Sequence, residues 1–288
     1  MDRKSAFDLP IETDIAWCPG CGDFAIQKIL KRTLDELGLL PTQTALVSGI
    51  GQAAKMPQYV WAHMFNGLHG RSLPAATAVK LANPTLKVIA VSGDGCMLGE
   101  GGNHFIHTIR RNPGIVALIH DNRVYGLTKG QAAPTAPTGM KTKLQVEGVF
   151  NEPLNPLALA ISLNASFVAR AYCGEADFSV EILKQAISHP GFAVVDMLQP
   201  CVTYNKINTY SWFRENTYHL EPEHPVDNQT EAFRRSLETE KLPLGIFYRH
   251  TSKPTLEAHL GLTQQGSKPL YEHTVNHDAL RERAARFC

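Results

Sequence analysis

The chain has 288 residues, 19% of them charged and 43% hydrophobic, with a formal net charge of +1. That length supports one large α/β unit or two small ones with a substantial core, and the interspersed charge leaves no basic stripe for nucleic acid. No apolar stretch approaches the roughly 20 residues that cross a bilayer, and Met1–Phe7 lacks a signal-peptide core, so no membrane partner and a cytoplasmic location are expected.

In chain order, Trp17-Cys-Pro-Gly-Cys-Gly22 comes first. A helical stripe follows over Phe24–Leu37, with Ile26, Ile29, Leu30, Leu34 and Leu37 on one face and Gly38 as its stop. Strands are expected at Thr44–Ser48, Lys87–Ser92, Ile115–Asp121, Ser166–Ala171 and Phe192–Leu198. Helices are expected at Ser72–Ala82, Gly101–Arg111, Pro156–Leu163 and Ser179–Ile187. This alternation is the pattern of an α/β fold with a doubly wound, parallel sheet. Thr128–Pro153 is rich in Gly, Pro and Thr without a period, and reads as a long loop beside a ligand. Residues 1–202 form the ligand-binding domain in this reading, and 203–288 an irregular C-terminal arm lying on a partner subunit. No internal repeat is visible.

Two strand ends carry the most informative residues. Gly93-Asp94-Gly95 ends one apolar run and Asp121-Asn122 ends the next, with 26 residues between Gly95 and Asn122. That interval holds the helix and strand of one crossover, so both loops emerge at the same sheet edge, where open parallel sheets bind ligands. A hard divalent ion takes oxygen ligands and keeps phosphate oxygens among them. Asp94, Asn122 and the Val124 carbonyl supply such a set. Gly-Asp-Gly alone also serves as a tight turn.

Six cysteines, two of them spaced as Cys18-Pro-Gly-Cys21, point to a metal or redox centre rather than a disulfide framework. The pair alone fits a zinc knuckle, a redox dithiol or half of a cluster site. No second pair follows for zinc, and Cys201 sits directly after the last expected strand, which favours the cluster.

Taken together, Trp17–Gly22, Ser48-Gly-Ile-Gly51, Leu68-His-Gly-Arg71, Gly93-Asp-Gly95, Gly101-Gly-Asn-His104, Asp121-Asn122, Tyr125-Gly-Leu-Thr-Lys-Gly130 and Pro200-Cys201 resemble the β subunit of 2-oxo acid:ferredoxin oxidoreductases, most of all the 2-oxoglutarate members. The resemblance runs from about Asp14 to Asn205. It implies the thiamine-diphosphate-binding fold, with Mg2+ held by Asp94, Asn122 and the Val124 carbonyl. The diphosphate would lie against Gly93, Gly95, Gly126 and the Gly49–Gly51 turn, with Ile50, Gly51, His69, Leu127 and Thr128 also on the cofactor. Lys55, His69 and Lys129 are the implied catalytic residues, the lysines meeting a dicarboxylate substrate, and Arg71 lies nearby. His104 and His107 read as surface residues.

The implied reaction is oxidative decarboxylation of 2-oxoglutarate with coenzyme A to succinyl-CoA and CO2, reversible in principle, with electrons leaving through a [4Fe-4S] cluster to ferredoxin. Cys18, Cys21 and Cys201 match three cluster ligands. Where the family carries the fourth cysteine this chain has Gln52, and Cys96 is the candidate replacement. Cys173 and Cys288 receive no role. No glutamate here is assignable to the cofactor's aminopyrimidine. An α subunit is therefore expected to supply it with the rest of the substrate site, two copies of each chain forming the active unit. Alternatives are the same role with pyruvate or another 2-oxo acid, and a non-catalytic iron–sulfur or zinc electron-transfer module.

Overall fold

The computed structural model describes residues 5–263 and 268–287. Cys288 lies outside them, as do Met1–Lys4 of the segment read for a signal peptide.

Helix α1 (Gly22–Glu36) buries Ile26, Ile29, Leu30 and Leu34, the stripe expected from their spacing. Strand β1 (Thr44–Ser48) is buried throughout, and a short β2 (His63–Asn66) runs beside it with every side chain exposed. Then come α2 (Ser72–Ala82), β3 (Lys87–Gly93), a π-helical turn at Gly95–Glu100, α3 (Gly102–Arg111) and β4 (Ile115–Asp121). The loop expected at Thr128–Pro153 pairs its start, β6 (Gln131–Ala132), with β5 (Val124–Tyr125) and otherwise consists of turns. Beyond it lie α4 (Pro156–Ser162), β7 (Phe167–Tyr172), α5 (Ala176–Ser188) and β8 (Ala193–Leu198). The chain continues through α6 (Tyr210–Asn216), β9 (Thr217–His219), α7 (Gln229–Ser236), β10 (Leu242–Arg249), α8 (Leu256–His259) and α9 (His277–Ala284).

The main sheet has the order β2-β1-β3-β4-β8-β7-β10-β9, and its first six strands are parallel. Helices α1 and α5 cover one face; α2, α3, α4 and α7 cover the other. Burial on both faces explains why the central strands read as unbroken apolar runs. Among the described residues no helix is long and apolar enough to cross a membrane.

The segment after residue 202 is more regular than its sequence suggests. Strand β10 joins the sheet antiparallel to β7, β9 joins β10, and α7 packs against α4. Its sequence hides this because Pro243 and Gly245 interrupt the apolar pattern, and a register shift falls between Ile246 and Tyr248. Only beyond Arg249 does the chain resemble the expected arm, with short helices and no strand among the described residues.

Parallel direction decides the location of the site. The register Ser48↔Val91 and Gly93↔His120 brings the carboxyl ends of β1, β3 and β4 to one edge.

Candidate active site

Beyond that edge lies a cavity of about 460 Å³. Three loops wall it: Ile50 and Gly51 after β1; Gly93, Asp94 and Gly95 after β3; Asn122, Val124, Gly126, Leu127 and Thr128 after β4. His69 enters from the turn before α2. Of the positions that the resemblance assigns to the cofactor, all but Gly49 line this cavity. Gly95 is required by closeness, since a Cβ there would lie 2.4 Å from the Tyr125 ring. Gly70 is required by both backbone and space: its φ is +66°, and a Cβ would lie 2.5 Å from the Glu100 carbonyl carbon.

Asp94 is 1% exposed, and burial, followed by repulsion from Asp121, pushes its carboxyl well above the usual carboxylate range. Thr135 Oγ1 donates to Asp94 Oδ2 and lies 2.9 Å from Asp121 Oδ1. One hydroxyl proton cannot serve two carboxylates. The Arg123 N–H also donates to Asp94 Oδ2, at 3.1 Å. Asn122 Oδ1 accepts from the Val124 N–H at 3.0 Å, which closes a tight turn and aims both residues at the cavity. Two converging acidic side chains beside an amide oxygen fit a divalent cation, whose charge relieves their repulsion.

The cysteines are arranged differently. Cys18 is exposed, while Cys21 donates to Asp23 Oδ2 at 3.3 Å and interacts electrostatically with Cys201. Burial, then Asp23, pushes the Cys21 thiol up. Cys96 stands apart in the cavity wall, where its sulfur accepts from the Ile50 and Gly70 N–H groups at 3.3 and 3.2 Å. Gln52 also lines the cavity; its carbonyl accepts from Trp17 Nε1 at 2.9 Å, and its buried Oε1 has no partner among the described residues. Among the described residues, no group of three or more His, Cys, Asp or Glu is placed to hold a metal ion. The described thiols form no such group, and the Cys96 sulfur is engaged by the Ile50 and Gly70 N–H groups.

Residues 45–197 match the thiamine pyrophosphate enzyme C-terminal TPP-binding domain, and residues 201–265 match the C-terminal region of the pyruvate ferredoxin oxidoreductase beta subunit. The chain is 41% identical over 269 residues to 2-oxoacid:ferredoxin oxidoreductase 2, subunit beta, of Aeropyrum pernix, covering 89% of this chain and 87% of the relative. It belongs to the β subunits of the 2-oxoacid:ferredoxin oxidoreductases. This β subunit is also 38% identical over 191 residues to the 2-oxoglutarate synthase subunit KorB of Archaeoglobus fulgidus, covering 66% of this chain and 71% of the relative. Among solved structures it resembles the 2-oxoglutarate:ferredoxin oxidoreductase of Magnetococcus marinus with 2-oxoglutarate, coenzyme A and succinyl-CoA bound. The TM-score is 0.90 at 32% identity, with 99% of this chain and 97% of that chain covered.

Membership fixes the fold as thiamine-diphosphate-binding and implies an α subunit. It also sharpens what this β subunit lacks. Neither Lys55 nor Lys129 lines the cavity. Lys55 Nζ lies 3.5 Å from the Ala16 carbonyl, and Lys129 is exposed with a φ of +84° beside Lys143. Arg71 is exposed at the start of α2, His107 is exposed and His104 is partly buried. Burial and the neighbouring Arg71, in that order, hold the His104 imidazole below its usual range. Sequence reading passed over Glu100, Tyr125 and Gln131, which line the cavity, and Thr135, which bridges Asp94 and Asp121. Thr135 carries no local signal, because it reaches the site only through the turn-rich loop after β6.

Proposed function

We propose that this β subunit serves the 2-oxoglutarate branch of its family, forming succinyl-CoA and CO2 from 2-oxoglutarate and coenzyme A and delivering electrons to ferredoxin. The observation that carries the cofactor assignment is the convergence of Asp94, Asn122 and Val124 on one cavity wall. There Asp94 Oδ, Asn122 Oδ1 and the Val124 carbonyl would hold Mg2+, and the Gly93–Gly95 and Gly49–Gly51 turns would admit the diphosphate close to the backbone. When bound, thiamine diphosphate would supply the nucleophilic carbon that adds to the 2-oxo carbon and the electron sink that takes up the pair left as CO2 departs. Thr135 orients Asp94 through its hydroxyl, and the Arg123 N–H holds the second Asp94 contact, so the carboxylate is fixed before the ion arrives. The substrate assignment is supported by the KorB relative and by the structural neighbour with 2-oxoglutarate bound.

A [4Fe-4S] cluster on Cys18, Cys21 and Cys201 is part of the same proposal, and iron and sulfide analysis of the anaerobically purified complex tests it. Lys55 and Lys129 are proposed to reach the substrate only once the α subunit completes the site. The experiment for the reaction is coenzyme-A-dependent viologen reduction by the purified complex. Activity is expected with 2-oxoglutarate. Reduction with pyruvate alone would overturn the substrate, and silence with both in a loaded complex would overturn the chemistry.

A further inference from the structure

The loop that carries Asn122, Val124, Gly126 and Thr128 is gripped from outside the cavity at three points by the segment after Cys201. Asn205, 2% exposed, donates from Nδ2 to the Asn122 carbonyl at 3.1 Å. The Arg123 guanidinium lies 5.3 Å from the Trp212 ring centroid and 5.9 Å from that of Phe213. Tyr204 packs on Gly130 so closely that a Cβ there would lie 2.7 Å from its ring.

The grip holds one unfavourable backbone conformation: Arg123 has a φ of +66° although it carries a Cβ, whereas Gly130 adopts its φ of +101° without that cost. Arg123 also links both sides, because its N–H binds Asp94 while its side chain lies on the aromatic pair. Asn205 is itself fixed by its own turn: Oδ1 accepts from the Ile207 and Asn208 N–H groups at 3.1 and 3.0 Å, and Nδ2 also reaches Asn208 Oδ1 at 3.1 Å.

We infer that Asn205, Arg123 and Trp212 are positioning residues that hold the Asn122–Val124 loop in its ion- and diphosphate-binding conformation. None of the three lines the cavity, so they act through Asn122 and Asp94. The inference rests on the proposed thiamine diphosphate site. It adds that the affinity of that site is set from the C-terminal side of the chain.

The test uses the α–β complex stripped of Mg2+ and thiamine diphosphate, with cofactor binding read by equilibrium dialysis rather than by turnover. Asn205→Asp keeps the Oδ1 acceptor of the turn and removes the Nδ2 donor that the Asn122 carbonyl shares with Asn208 Oδ1. It and Trp212→Ala are each expected to weaken cofactor binding about 10-fold or more, while the melting temperature of the stripped complex stays close to that of the unmodified one. Trp212→Phe restores an aromatic face and is expected to recover most of the affinity. Should Asn205→Asp fail to assemble, Arg123→Met removes the second link, the guanidinium on Trp212 and Phe213, while keeping the backbone N–H to Asp94. Unchanged affinity in these variants, with the unmodified complex binding normally, overturns the inference alone. No binding by the unmodified complex overturns the cofactor site and the inference together.

Discussion

At the scale of single residues, the site is governed by buried oxygen atoms whose charges do not suit one another. Asp94 and Asp121 share one threonine hydroxyl, and the cation proposed at Asp94 and Asn122 would relieve a repulsion that one hydroxyl proton cannot. Thr135→Val is therefore expected to weaken Mg2+-dependent cofactor binding by about 10-fold or more, measured by dialysis against the unmodified complex. Asp94→Asn removes the ligand charge itself and is expected to abolish cofactor retention through gel filtration. A different residue sets an acid limit to stability. His189 stacks obliquely on Phe167, with ring centroids 5.4 Å apart, and burial and then Arg249 push its pKa down to about 4. Its folded value lies below the ordinary value of 6.5, so the unfolded chain takes up the proton first as pH falls. Stability from this group is whole above about pH 6.5 and declines towards pH 4. Urea midpoints measured on either side of that ordinary value, one near neutrality and one about a unit below it, are expected to differ less in His189→Gln than in the unmodified protein.

Elements decide how those residues meet. Three parallel strands end level, and the turns after them need glycine, because Tyr125 and the Glu100 backbone fill the space a side chain would take at Gly95 and Gly70. The π-helical turn at Gly95–Glu100 delays the start of α3 and places Cys96 and Glu100 in the cavity wall. At the far side of the sheet, Phe247 of β10 is fully buried among residues of α4, β7 and α7, although it belongs to the segment expected to be an arm. Phe247→Ala is expected to cost about 3–5 kcal/mol, read by chemical denaturation. A cost below about 1 kcal/mol would mean that β10 is not part of the cooperative core.

At the scale of the whole molecule, the β subunit belongs to an enzyme with an α subunit, with which it is proposed to share the site. At and around the edge strand β2, Trp61, Met64, Phe65 and Leu68 are 50–69% exposed, more apolar surface than an isolated rim usually leaves to water. The α subunit that family membership implies is expected to cover this rim. Oxidative footprinting should show Met64 protected in the complex and reactive in the isolated chain, which is expected to be inactive until the α subunit is added. Full turnover by the isolated chain would refute the division of the site.

The sequence by itself determined the alternation of strands and helices, the edge of the sheet where the cavity lies, and the glycines and oxygen-bearing side chains that line it. These come from local periodicity, from turns that only glycine can make, and from the one-sidedness of parallel crossovers. Tertiary structure decided what joins distant segments: Thr135 between two aspartates, Asn205 on Asn122, Arg123 against Trp212, and the strand hidden at Leu242–Arg249. It also set Cys96 in the cavity wall, its sulfur engaged by two backbone N–H groups. Sharing a sheet edge places loops in a neighbourhood; which atoms touch depends on side-chain direction and on the packing of the long loop and the C-terminal segment, for which a one-dimensional pattern carries no signal.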